Sequence, residues 1–219
     1  MSETLNLSDL SQTDLQQLDV VERYTQFAPV YNQSVDDWGY QCYRTAADAL
    51  EHYLPTNAPI LDAGCGTGLV GQVLAQHGYR DVTGIDISQD MLEQAEATGH
   101  YQQVKAQDLS QTPYPFADNH FAAIACVGVF SLIADPAPVL REFCRLVRSQ
   151  GYLVFTQQEV LFEQYGYAEV LRGFEERGEL RCESVSEPVV YLPKREGYAD
   201  RKVIYCIYQV LKQEDEINP

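Results

Sequence analysis

The feature that most constrains this chain is a nine-residue stretch, Ile60-Leu61-Asp62-Ala63-Gly64-Cys65-Gly66-Thr67-Gly68. Large apolar residues lead into an aspartate and then three glycines at alternate positions, and the apolar-periodic segment Leu69–His77 follows at once. A short strand that ends in a glycine turn and reverses into a helix is the opening of a βαβ unit. Glycines at such a turn remove the side chains that would keep a ligand from the backbone. The alternation continues downstream. Asp81–Ile87 reads as a second strand, Ser88 as the N-cap of a helix to about Ala97, and Tyr101–Ala106 as a third strand. Phe121–Val127 is almost uniformly apolar, as a strand covered on both faces must be. Pro136 opens a helix with Val139, Leu140, Phe143, Leu146 and Val147 at helical spacing, and Tyr152–Thr156 is a fifth strand.

A helix through about Gly178 then precedes two β-rich runs, Arg181–Tyr191 and Lys202–Leu211, which flank the turn-like Leu192–Asp200 and are expected to pair antiparallel. The pattern predicts an α/β fold: a Rossmann-like, doubly wound seven-stranded sheet, mostly parallel with a C-terminal antiparallel hairpin. Residues 1–54 stand apart as an N-terminal helical arm, and 55–219 form the α/β domain. In the arm, spaced leucines suggest an amphipathic helix over about the first 27 residues, Tyr24–Trp38 is aromatic and broken by Pro29, and a helix runs from about Asp37 to Leu54.

Charge narrows the partners. Fifteen Lys and Arg against 32 Asp and Glu give a formal charge of −17, which repels phosphate backbones and anionic lipid surfaces, so no nucleic-acid or membrane partner is expected. The six cysteines are scattered in mostly apolar settings without metal-ligand spacing, so buried reduced thiols and no metal are expected. With a polar, acidic beginning and no apolar run of about 18 residues, the expectation is a cytoplasmic protein, monomer or homodimer.

In open α/β sheets, ligands bind beyond the carboxyl ends of the strands. At the end of the second predicted strand, Gly84-Ile85-Asp86 places a carboxylate about 20 residues beyond the glycine turn, the spacing of a group that accepts ribose hydroxyls. Gly66, Gly68 and Gly71 also satisfy the G-x-G-x-x-G frame of dinucleotide sites. Asp62 precedes that frame; a carboxylate there disfavours a diphosphate and favours a ligand bearing a cationic amine. A nucleotide-dependent oxidoreductase remains an alternative on these residues alone.

The stretch Ile60–Gly68 resembles the first motif of the class I S-adenosylmethionine-dependent methyltransferases, and Gly84-Ile85-Asp86-Ile87-Ser88 with Asp90-Met91-Leu92 resembles the second. Gln107-Asp108-Leu109 resembles the adenine-side motif. Trp38, Tyr43-Arg44, Gly68-Leu69-Val70, Met91-Leu92-Glu93-Gln94-Ala95 and Tyr191-Leu192-Pro193-Lys194 are further similar to the methyltransferase-like family whose human member lies in the Williams–Beuren region, with its bacterial relatives. The resemblance implies S-adenosylmethionine as cofactor. Asp62, Ala63, Gly64 and Gly66 would hold its methionine end, Asp86 the ribose, Ile87 and Met91 the adenine face, and Gln107, Asp108 and Leu109 the adenine edge. Cys126 would line the transfer site, and Tyr24, Tyr31 and Trp38 would come from a lid within residues 1–54.

The resemblance implies methyl transfer to a small-molecule acceptor by in-line displacement, with a protein methyltransferase or an S-adenosylmethionine-binding regulatory partner as the alternative. The chain lacks the Asn-Pro-Pro-Tyr type of motif after the fourth strand, having Val127-Gly128-Val129-Phe130-Ser131 instead, which agrees with the charge argument against nucleic acid. A general base is required only if the acceptor must lose a proton; Glu159, just past the fifth strand, is the candidate. The four histidines fall away from the strand exits and read as structural.

Overall fold

The computed structural model describes residues 20–212, apart from the side chains of Val20 and Arg23. The expected arm before residue 20 and the acidic tail beyond Lys212 lie outside the described residues. Among the described residues three helices come first: α1 (Val20–Phe27), α2 (Tyr31–Asp37) and α3 (Cys42–Glu51). Pro29 sits in a 3-10 turn between α1 and α2, as its missing N–H favours. Gly39, at φ +71°, ends the aromatic stretch, so α3 starts at Cys42 and not near Asp37.

The strand–helix alternation then runs β1 (Ile60–Ala63), α4 (Leu69–Gln76), β2 (Val82–Asp86), α5 (Gln89–Ala97), β3 (Gln103–Ala106), β4 (Phe121–Cys126), α6 (Ala137–Leu146) and β5 (Val147–Gln158). Ser88 caps α5, its Oγ accepting the Met91 N–H. After β5 the helical segment is split by Gly166, at φ +63°, into α7 (Glu159–Gln164) and α8 (Tyr167–Glu176). The final β-rich region gives β6 (Leu180–Val185), a two-residue β7 (Val189–Val190) and β8 (Lys202–Val210).

The sheet order is β3-β2-β1-β4-β5-β8-β6, with β7 also on β8, so the expected seven-strand path carries a short eighth strand. The predicted run Arg181–Tyr191 divides at Pro188, which has no N–H to give a ladder. All pairs from β3 to β5 are parallel, and β8 runs antiparallel to β5 and β6. Strand order reverses between β1 and its neighbour β4, which puts Asp62 in register with Gly84 and Ala125 at the middle of the sheet.

The period of two along a strand sorts side chains into two cores. Leu61, Ile124, Leu153 and Phe155 face α6 and α8, packing against Val139, Phe143, Leu171 and Phe174. Ile60, Ala123, Ala125 and Val154 face the other way, against Ala46, Ala47 and Leu50 of α3 and Val70, Val73 and Leu74 of α4. The cysteines are free: Cys42, Cys65, Cys126 and Cys206 are buried and Cys144 is half-buried. Cys182 departs from the expected burial, lying exposed on β6.

Candidate functional site

The exits of β1 and β2 are stapled together. Gly64 and Cys65 both donate their N–H to the Ile85 carbonyl, at 2.7 and 3.0 Å. Asp86 accepts the Gly66 N–H on Oδ2 and the Ser88 N–H on Oδ1, each at 2.9 Å. Gly64 has φ +78°, and a Cβ there would overlap Cγ2 of Val129, so only glycine fits. Gly66 differs, since a Cβ built on it would meet nothing within 4 Å. The loop thus offers bare backbone to open space, next to a carboxylate.

Asp62 is wholly buried beneath this loop. Its Oδ2 accepts a 2.7 Å hydrogen bond from the Tyr101 hydroxyl, which in turn accepts the Gly71 N–H at 3.1 Å; its Oδ1 has no partner among the described residues. Loss of hydration pushes the Asp62 carboxyl up to about 7; the Tyr101 bond opposes that and the Asp86 charge adds to it. Burial also raises Asp86, against the pull of the Ser88, Gly66 and Ile87 amides. Sequence reasoning missed Tyr101. Its ring packs where a Cβ on Gly71 would overlap it and one on Gly84 would lie 3.1 Å away. A glycine inside a strand and another inside a helix were the available signals. The third glycine of the dinucleotide-type frame is therefore accounted for by this tyrosine.

The N-terminal helices close over the loop. The Thr67 hydroxyl donates to Asn32 Oδ1 at 2.6 Å, a lid contact that the sequence did not suggest. Burial, and then the nearby Tyr24 and Asp86, hold the Tyr31 phenol well above its usual range, and the Tyr31 ring meets Phe27 edge-on at 5.2 Å. Trp38 packs near Phe27 and under the Arg195 guanidinium, in the cluster built on Val35, Tyr40, Cys42, Leu192 and Val203. At the β4 exit the Tyr40 hydroxyl would stand 2.9 Å from a Cβ on Gly128, whose N–H donates to Thr156 Oγ1 at 2.9 Å.

The other sequence-predicted residues divide. Ile87 is 37% exposed at the β2 exit, while Met91 is buried. Gln107 is drawn to Asp86 by its N–H, 2.9 Å from the Asp86 carbonyl, and its side chain bonds the Asp108 and Gln111 carbonyls. Asp108 spends both carboxylate oxygens within its own turn, on Ser110 and Gln111. Ala63, Leu109 and Cys126 lie in the larger core; the Cys126 thiol is fully enclosed and raised by burial, so Val127, Gly128 and Val129 form the strand exit in its place. Glu159 opens α7, its side chain 32% exposed and 4.0 Å from Lys202 Nζ. Among the described residues no group of His, Cys, Asp and Glu is arranged to hold a metal ion, and no helix is long and apolar enough to cross a membrane.

Comparison with known proteins bears on this geometry. A family model described as a methyltransferase domain matches residues 61–155. Human methyltransferase-like protein 27 is 41% identical over 111 residues, 49% of this chain and 45% of that protein. The ubiquinone biosynthesis O-methyltransferase of Alkalilimnicola ehrlichii is 33% identical over 104 residues, 44% of this chain and 40% of that one. The chain thus matches less than half the length of these relatives. In fold, a TehB-like SAM-dependent methyltransferase from Corynebacterium glutamicum superposes with a TM-score of 0.62 at 24% identity, covering 84% of this chain and 98% of the other. Strand order, the loop bound to Asp86 and the matched domain agree: over residues 61–155 the chain matches a methyltransferase domain, set on a Rossmann-like sheet.

Proposed function

We propose that this chain transfers a methyl group from S-adenosylmethionine to a small-molecule acceptor. The observation that carries the reading is the joined pair of strand exits, with Asp86 held against the glycine loop and a buried Asp62 oxygen left without a partner among the described residues. An orphaned carboxylate oxygen beneath bare backbone suits an amine, and a half-buried carboxylate at the next strand exit suits vicinal hydroxyls. When bound, S-adenosylmethionine supplies a methyl group made electrophilic by its sulfonium.

The chain's own residues bind and orient. Asp62, Ala63, Gly64 and Gly66 would hold the methionine end, Asp86 the ribose, and Ile87, Met91, Gln107, Asp108 and Leu109 the adenine side. Since Asp108 already caps a turn, its contribution would be made through Oδ1, which also accepts from Ser110, or through Oδ2, which also accepts from Gln111. Tyr31 and Trp38 would exclude water from above. An in-line displacement asks mainly for alignment, and the enclosed, aromatic lid supports it. Glu159 stays the candidate base for an acceptor that must shed a proton. The small-molecule reading draws support from the O-methyltransferase name of the Alkalilimnicola relative.

Calorimetric titration with S-adenosylhomocysteine, with NAD as control, tests the donor. Micromolar binding of S-adenosylhomocysteine alone is expected, followed by transfer of labelled methyl to a member of a small-metabolite panel. Binding of NAD alone would refute the reading, and transfer only to a protein would replace the acceptor class.

A further inference from the structure

The segment between β7 and β8 is docked on the N-terminal helices, and Arg195 is the cation in that contact. The Arg195 guanidinium lies 4.1 Å from the centre of the Trp38 ring and 3.9 Å from that of Tyr198. Among the described residues Arg195 forms no ion pair, so its charge is met by two aromatic rings. The surrounding backbone fixes the same junction: Lys194 donates its N–H to the Trp38 carbonyl at 3.0 Å, and Gly39 is backed by Pro193 and Lys194. Leu192 is buried with Val35, Tyr40 and Cys42, and Tyr191 meets Tyr40 edge-on at 5.5 Å. The helices held in this way reach the glycine loop through Asn32, which accepts the Thr67 hydroxyl at 2.6 Å.

We propose that Arg195 is a positioning residue, a pin that latches the N-terminal lid to the β7–β8 segment and thereby slows release of the cofactor. The inference rests on the cofactor reading above. Arg195 touches neither the glycine loop nor Asp86; it acts through Trp38, and removing it loosens the lid while leaving the glycine loop and Asp86 as they are. A cation enclosed by two rings is among the stronger contacts of its kind, and a planar guanidinium stacks where an ammonium does not.

The test is a chase of labelled S-adenosylhomocysteine from the intact protein, with acrylamide quenching of Trp38, the single tryptophan of the chain, measured on the same samples. R195A is expected to release the ligand about 5- to 30-fold faster and to quench more readily, with R195K between it and wild type. A merely structural role would lower the Tm of R195A and leave the release rate of the folded fraction unchanged; that result overturns the proposal, as does an R195K variant as impaired as R195A. Should R195A not fold, R195K and R195M carry the same comparison, with release no faster than in wild type counting against the pin. If wild type binds no S-adenosylhomocysteine, the cofactor reading has failed and the pin's effect on release fails with it, while unchanged quenching in R195A separately refutes the contact.

Discussion

Asp62 is a buried acid held in an unfavourable charge state, and Asp62→Asn should expose that. Its carboxyl is moved from an ordinary 3.8 up to about 7 by burial. At about 1.36 kcal/mol per unit, that is a penalty of about 4 kcal/mol on the folded state once the group is ionised. The sign follows from which state keeps the proton. Below pH 3.8 both states are protonated and the group contributes nothing. As pH rises toward about 7 the unfolded chain ionises first, so the penalty grows, and above that it is constant. The asparagine oxygen still accepts from Tyr101, but its amide nitrogen takes the unpartnered position, which costs about 1–3 kcal/mol at every pH. D62N should therefore be less stable than wild type near pH 4 and more stable near pH 8, by about 2 kcal/mol or roughly 4–8 °C in Tm. Ligand-free thermal unfolding of both proteins across that range measures the difference curve. A flat difference, or a D62N protein still less stable at pH 8, would refute the reasoning.

Other consequences are as direct. D86A removes the acceptor of two backbone N–H groups and the proposed ribose ligand, and should weaken S-adenosylhomocysteine binding about 10- to 100-fold by calorimetry; equal affinity would remove Asp86 from the site. G71A forces a Cβ into the Tyr101 ring and should lower stability by about 1–3 kcal/mol in a denaturant titration, and the same change made in a Y101A background should cost less than it does in wild type. E159Q should reduce turnover while leaving cofactor affinity unchanged, so that equal turnover assigns Glu159 to its pairing with Lys202 alone.

The one-dimensional pattern determined most of the scaffold. Ile60–Ala63, Phe121–Cys126 and the helix carrying Val139, Leu140 and Phe143 announce themselves through apolar period, and Asp62, Gly64, Gly66 and Asp86 through spacing, because strand exits in such a sheet fall at regular intervals. What breaks an element was less visible: Gly39 and Gly166 end helices by a left-handed backbone, which a composition pattern does not weigh against neighbouring helix formers.

Contacts across the fold were set only in three dimensions. Tyr101 reaches Asp62 across 39 positions, Thr67 reaches Asn32 across 35, and Arg195 finds Trp38 from the far end of the chain. Cys126 likewise joined the core because alternation along β4 turned it toward Phe130, a choice fixed by which face of the sheet α6 covers. Local sequence sets element type and the stations along each strand. The partners of a tyrosine hydroxyl or a guanidinium depend on loop closure and helix packing, which tie together residues with no periodic relation to one another.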